Sequence, residues 1–152
     1  MSDNTRALRA QELFRQGYNC SQAVAMAFAD LIDMDEKAVA RLTSGFGGGV
    51  GRMREVCGSV LGMAFVMSAL YGYDSTDDMA AKTRIYSEIQ LLANKFKEEN
   101  GSIVCRELLG LSPMSAPSPV PEKRTQEFYK KRPCAELVYI SAKNLEEYIN
   151  TH

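Results

Sequence analysis

Four residues in this chain carry the side chain best suited to redox chemistry or soft-metal ligation: Cys20, Cys57, Cys105 and Cys134. A cysteine reacts and ligates as the thiolate, and a helix N-terminus favours that form because unpaired N–H groups and the helix dipole stabilise negative charge. Each of the four falls at or within a turn of a helix start expected from the sequence. Cys20 follows Gly17-Tyr18-Asn19, Cys57 follows a glycine-rich loop, Cys105 follows Gly101-Ser102, and Cys134 follows Pro133. Free cysteine is also among the most buried residue types, so any one of them alone reads as core filling. Four at equivalent helix starts are less easily accidental and point to one joint site.

The chemistry is narrowed by what surrounds them. His152 is the only histidine and is the last residue, so Cys-His nucleophilic catalysis, histidine-ligated haem and mixed Cys/His zinc sites lose their obvious partner. A metal site here would be all-sulfur. The cysteines are widely separated, unlike the close pairs of familiar ferredoxin and zinc-ribbon sites, so the fold must bring them together. Tyr18, Glu55 and Arg106 are near them in sequence and read as surface or packing residues, while Met63 and Met67, one helical turn apart, read as core.

Two glycine features lie beside the cysteines. Ser44 to Gly51 reads Ser-Gly-Phe-Gly-Gly-Gly-Val-Gly and is followed by Arg52 and Arg54. Such a loop can cradle an anion with its backbone N–H groups. It lacks the lysine-Ser/Thr ending of a phosphate loop and follows a helix, so it reads as a structural turn beside the cysteine site. Gly58 and Gly62, four residues apart, form a smooth stripe on a helix, suited to tight packing or to close approach of a bound group. Gly48, Gly49, Gly58 and Gly62 are therefore the candidate close-approach positions around a cofactor.

Helical periodicity supplies the elements that must position these residues. It predicts helices over Thr5 to Gln16, Cys20 to Ile32, Glu36 to Leu42, Glu55 to Tyr71, Asp78 to Glu99, Ile103 to Leu109 and Cys134 to Ile149. Asp33 or Asp35, Asp77 and Ser102 are the expected caps. Residues 111–133 hold all five prolines, Pro113, Pro117, Pro119, Pro121 and Pro133, and read as an extended connector with one exposed turn over Thr125 to Lys130. The connector's Lys123, Arg124, Lys130, Lys131 and Arg132 read as a solvated basic face, with an acidic protein partner as the weaker alternative. No strand-like alternation of useful length and no repeat appears. The class is all-α: a helical bundle of about six to seven helices, with the glycine loop before a central buried helix. In an up-down bundle the second, fourth and sixth helices start at one end, which gathers Cys20, Cys57 and Cys105, and the long connector lets Cys134 join them.

The chain has 152 residues, 45% of them hydrophobic, which suits a single domain spanning 1–152 with a true core. A net charge of −1 offers no field for nucleic acid or anionic lipid. Residues 1–15 lack the apolar run of a secretory signal, and Val60 to Tyr71 is too short to span a membrane. A cytoplasmic location is the expectation, where paired thiols are more often catalytic or metal-bound than structural disulfides.

The stretch Glu55-Val56-Cys57-Gly58-Ser59-Val60-Leu61-Gly62, with Cys20, Cys105 and Cys134 around it, resembles the redox-active family named for its C…GCAxxG…C…C pattern. The similarity continues through Gly17-Tyr18-Asn19-Cys20-Ser21-Gln22-Ala23-Val24, the glycine loop, Gly101 to Gly110 and the final cysteine-led helix, and so covers nearly the whole chain. Ser59 stands where the motif has alanine, and the pair runs Cys57-Gly58 in place of glycine-cysteine. The resemblance implies a small all-helical protein with a redox role.

Three readings follow. The first is an electron-transfer centre, an iron-sulfur or other metal cluster, with 2Fe-2S one candidate type, held by Cys20, Cys57, Cys105 and Cys134 and serving an unidentified redox partner protein; it leans away from a stand-alone enzyme and otherwise reads as an oxidoreductase. The second is a thiol-disulfide oxidoreductase with two cysteines cycling and no cofactor. The third is a structural all-cysteine zinc site in an interaction module. The apolar helices also suit a homodimer.

Overall fold

The computed structural model describes residues 4–112 and 116–152, so Asp3 and Pro113 lie outside the described residues. The protein is all-α, with eight helices and no strand among the described residues. These are α1 (Thr5–Arg15), α2 (Cys20–Met26), α3 (Glu36–Thr43), α4 (Gly58–Tyr71), α5 (Met79–Asn100), α6 (Cys105–Leu108), α7 (Gln126–Lys131) and α8 (Cys134–Thr151). A single 3-10 turn, Ser44–Phe46, opens the glycine loop. Among the described residues, no helix is long and apolar enough to cross a membrane.

Helices α2 and α8 form the hub, α2 packing on α1, α3, α4 and α8, and α8 packing on α1, α2, α4 and α5. Phe14, Phe28, Val66, Met63, Met67, Phe96, Val138 and Leu145 fill the space between them and are fully buried or nearly so. The two methionines are thus core residues, as their helical spacing indicates. Helix α4 is apolar around its whole circumference, so packing and not amphipathic contrast sets its orientation.

Several boundaries differ from the periodicity. The second helix ends at Met26, because Phe28, Ala29, Leu31 and Asp33 donate to carbonyls three residues back and tighten the chain into turns. Asp33 takes positive φ, and Arg6 from α1 holds both the Ala27 carbonyl and the Asp30 carboxylate there. The central helix begins at Gly58, not Glu55, because Glu55 and Cys57 give their backbone groups to a neighbouring segment. Asp78, not Asp77, caps α5, accepting from the Ala81 N–H. Ser102 does not cap the short α6. It accepts from Val104 N–H and donates to Glu107, leaving Val104 in the cap position. The turn over Thr125 to Lys130 is a helix, α7, and supplies the eighth. Thr125 caps it, and its Phe128 and Tyr129 are half-buried, with Tyr129 edge-on to Phe14.

The contact that most constrains the bundle is α2 on α4. A Cβ built on Gly62 would lie 2.6 Å from the Ser21 carbonyl oxygen and 3.1 Å from Val24 Cβ, so the two backbones meet where a side chain would stand. Ser21 is fully buried and donates its hydroxyl to the Thr43 carbonyl, which fixes α2 against α3 as well. Relief would require moving backbone. Gly62→Ala should therefore cost about 1–3 kcal/mol in urea denaturation, and Gly62→Val more. An unchanged urea midpoint in Gly62→Val would contradict this packing.

Candidate functional site

All four cysteines stand at helix starts: Cys20, Cys105 and Cys134 are the first residues of α2, α6 and α8, and Cys57 immediately precedes α4. None is in a disulfide. Each start is fixed by local chemistry. Asn19 accepts from the Gln22 N–H while the Gln22 side chain accepts from the Asn19 N–H, a reciprocal cap that sets where α2 begins. Pro133 precedes α8, its fixed φ suiting entry into a helix.

Cys57 and Cys105 are tied together through the main chain. The Cys57 N–H donates to the Ile103 carbonyl at 2.7 Å, and the Cys105 N–H donates to the Glu55 carbonyl at 2.6 Å. Val56 and Val104 form an isolated antiparallel bridge between these bonds. Two helix starts far apart in sequence are thereby clamped side by side.

The glycine loop forms the next wall. Gly48, Gly49, Val50, Gly51 and Arg52 all take positive φ, between 56° and 73°, making a left-handed turn. This is costly for a β-branched residue such as Val50. The loop closes on itself as a structural turn. The N–H groups of Val50, Gly51, Arg52, Arg54 and Glu55 all donate to loop carbonyls from Gly45 to Gly49. Its use is close approach. A Cβ on Gly49 would lie 2.7 Å from Cys105 Cβ, and one on Gly58 would lie 3.1 Å from Cys20 Cβ.

These walls enclose a cavity of about 460 Å³ onto which Cys20, Cys57, Cys105 and Cys134 all face. Gly48, Gly49 and Gly58 also line it. Gly62 does not; it is a packing residue against α2, as described above. Tyr18 is turned away from the thiols, its hydroxyl accepting from Lys37. Phe14, Leu108, Phe128 and Leu137 supply apolar wall, and Pro119 and Pro121 of the connector cover one side.

The sequence reading missed the arginines. Arg52, Arg54, Arg124 and Arg132 line the cavity, against Glu122 as the one carboxylate among the lining residues. The connector's basic residues are therefore not one solvated face. Arg124 lies over the Phe14 ring at 4.1 Å and donates to the carbonyls of Phe14 and Tyr18, while Lys123, Lys130 and Lys131 stay exposed. The aromatic pair Phe128-Tyr129 within the basic stretch was the available signal, since a guanidinium stacks readily on aromatic faces.

The thiols differ in acidity for physical reasons. Burial pushes Cys57 up to about 11, only partly offset by its hydrogen bond with Ser59 Oγ at 3.0 Å. Cys105 is also raised by burial, opposed by the Arg54 guanidinium, which donates to its Sγ at 3.7 Å. Cys20 and Cys134 interact with each other across the cavity and move in opposite directions. The Cys20 S–H donates to Cys134, raising Cys20 and lowering Cys134, and the charges of Arg132, Arg124 and Arg54 lower Cys134 further. Cys134 is the one thiol of the four whose acidity is enhanced.

Among the described residues, no three His, Cys, Asp or Glu side chains are grouped to hold a single metal ion. The donor set is four sulfurs spread around one cavity, with cationic groups beside two of them.

In the reduced, metal-free chain, iodoacetamide should alkylate Cys134 first, its rate profile lying lowest in pH of the four. Cys57, 4% exposed, should stay unreactive until pH nears its raised value. Cys20→Ala removes the S–H donor and should move the Cys134 profile upward. Equal rates at all four cysteines, or an unmoved profile in Cys20→Ala, would contradict the asymmetry.

A family model described as "Putative redox-active protein (C_GCAxxG_C_C)" matches residues 18–148, nearly the whole chain. Comparison with curated proteins and with solved structures gives no match.

Proposed function

From this chain's membership of the C_GCAxxG_C_C family of redox-active proteins, we propose that its four cysteines act as one electron-transfer centre, holding an iron-sulfur cluster of the 2Fe-2S type. The observation that carries the reading is that Cys20, Cys57, Cys105 and Cys134 all face one cavity from four helix starts. A dithiol enzyme needs two sulfurs, whereas a thiolate-bound cluster uses four. A polynuclear group spans sulfurs that a single ion does not reach together, which suits the spread of this donor set better than a structural zinc ion does.

When bound, such a cluster takes up and releases single electrons. The chain's own residues hold and tune it. The four thiols ligate as thiolates, and Arg52, Arg54 and Arg132 balance the negative charge that results. Hydrogen bonds to the sulfurs, from Ser59 to Cys57 and from Arg54 to Cys105, raise a cluster's potential by stabilising its reduced, more negative state. Gly49 and Gly58 let the walls close to sulfur distance. A diffusing partner protein in a reducing compartment is the electron source or sink.

A second reading rests on the coupling of Cys20 and Cys134, which face the same cavity and shift each other's acidity in opposite directions. The Cys134 thiolate attacks a disulfide, forming a mixed disulfide and expelling one substrate thiolate. The Cys20 sulfur then attacks Cys134, leaving an intramolecular disulfide and a second thiol. The protein gives up two electrons and the Cys20 proton, and the substrate leaves as one thiolate and one thiol.

Anaerobic purification with a visible spectrum and iron, sulfide and thiol analysis separates the two. The cluster reading predicts colour with equal iron and sulfide, lost in each of the four Cys→Ser variants. Colourless, metal-free protein that loses two titratable thiols on oxidation, Cys20 and Cys134, would overturn it in favour of the second. Stoichiometric zinc without redox activity would overturn both.

A further inference from the structure

The cavity has a mouth, and the mouth is closed by charge. Residues 116–124 have no regular secondary structure and make no backbone–backbone hydrogen bond to any helix among the described residues. Arginine side chains hold this strap. Arg52 donates to the carbonyls of Ser118 and Val120, and both Arg52 and Arg132 pair with the Glu122 carboxylate. Arg124 anchors the strap's end to the carbonyls of Phe14 and Tyr18.

Glu122 therefore occupies a site with the features of a ligand subsite. Two guanidiniums from separate elements converge on one carboxylate oxygen, Arg132 by a hydrogen bond and Arg52 by an ion pair at 3.8 Å, a charge arrangement that favours an oxygen anion. Behind it lies apolar wall from Phe14, Leu108, Phe128 and Leu137. Glu122 fills the charged part of this site and leaves the apolar part open. A carboxylate carried on a compact apolar body satisfies both.

We propose that the mouth of the cavity is a carboxylate-binding site whose resident occupant is Glu122, and that a small carboxylic acid with an apolar body displaces Glu122 from Arg52 and Arg132 and loosens the strap around residue 122. The inference rests on the cavity being the functional site, whether the thiols carry a cluster or cycle as a pair. Because Glu122 is tethered beside the site, it competes with any free ligand. Access to the thiols is thereby coupled to ligand binding.

Calorimetric titration of the full chain with benzoate tests this, because removing the tethered competitor must tighten binding. Glu122→Gln should bind benzoate at least about tenfold more tightly than the unaltered chain. Adding Arg132→Gln to Glu122→Gln should abolish the gain, and inorganic phosphate, lacking an apolar body, should bind Glu122→Gln more weakly than benzoate does. In the unaltered chain, saturating benzoate should also speed tryptic cleavage after Lys123. Equal benzoate affinity with and without Glu122, phosphate binding as tight as benzoate, indifference to Arg132→Gln, or unchanged cleavage would each overturn the proposal. Helical circular dichroism confirms that each variant is folded. Binding is read without electron transfer, so its failure is distinct from failure of the redox reading, which the iron, sulfide and thiol analysis decides.

Discussion

How closely backbones approach one another sets everything else in this molecule, and glycine sets the approach. At Gly62 the α4 backbone rests on the Ser21 carbonyl, at Gly58 it stands beside Cys20, and at Gly49 the loop stands beside Cys105. In each case a single methyl group would fall within 3.1 Å of its neighbour. The cost is paid in strain, since five successive residues from Gly48 to Arg52 take positive φ and one of them is valine. Thiols from distant parts of the chain share a cavity only because these walls lack side chains.

Once the walls are set, two electrostatic effects compete over the sulfurs. Burial disfavours the thiolate and prevails at Cys57, over the opposing hydrogen bonds from the Ser59 hydroxyl and backbone. Donated hydrogen bonds and guanidinium charge favour the thiolate and prevail at Cys134, which receives the Cys20 S–H and faces Arg132, Arg124 and Arg54. Cys105 lies between these cases, with burial outweighing the Arg54 contact. Arg132 also pairs with Glu122 of the strap, so thiol acidity and cavity access share that side chain.

Much of this was legible in the residues themselves. Helix class, the core positions of Met63 and Met67, and the location of each cysteine at a helix start follow from apolar spacing and from turn and capping residues such as Asn19 and Gly101. The misreadings have a common cause: long-range hydrogen bonds. Glu55 and Cys57 look like helix and instead pair with Ile103 and Cys105. The glycine loop, read as a structural turn, does close on carbonyls of its own. Arg124 and Arg132 look solvated, yet the return path of the connector turns them toward the cavity, and charge density along a sequence carries no direction.

The central claim is geometric: four sulfurs from four helix starts face a common space. Anomalous scattering from sulfur, recorded at long wavelength on a crystal grown without oxygen, locates those atoms directly. The account predicts that the peaks of Cys20, Cys57, Cys105 and Cys134 surround one cavity, with Cys20 and Cys134 the adjacent pair. Peaks dispersed through separate parts of the core, with no space shared between them, would contradict it.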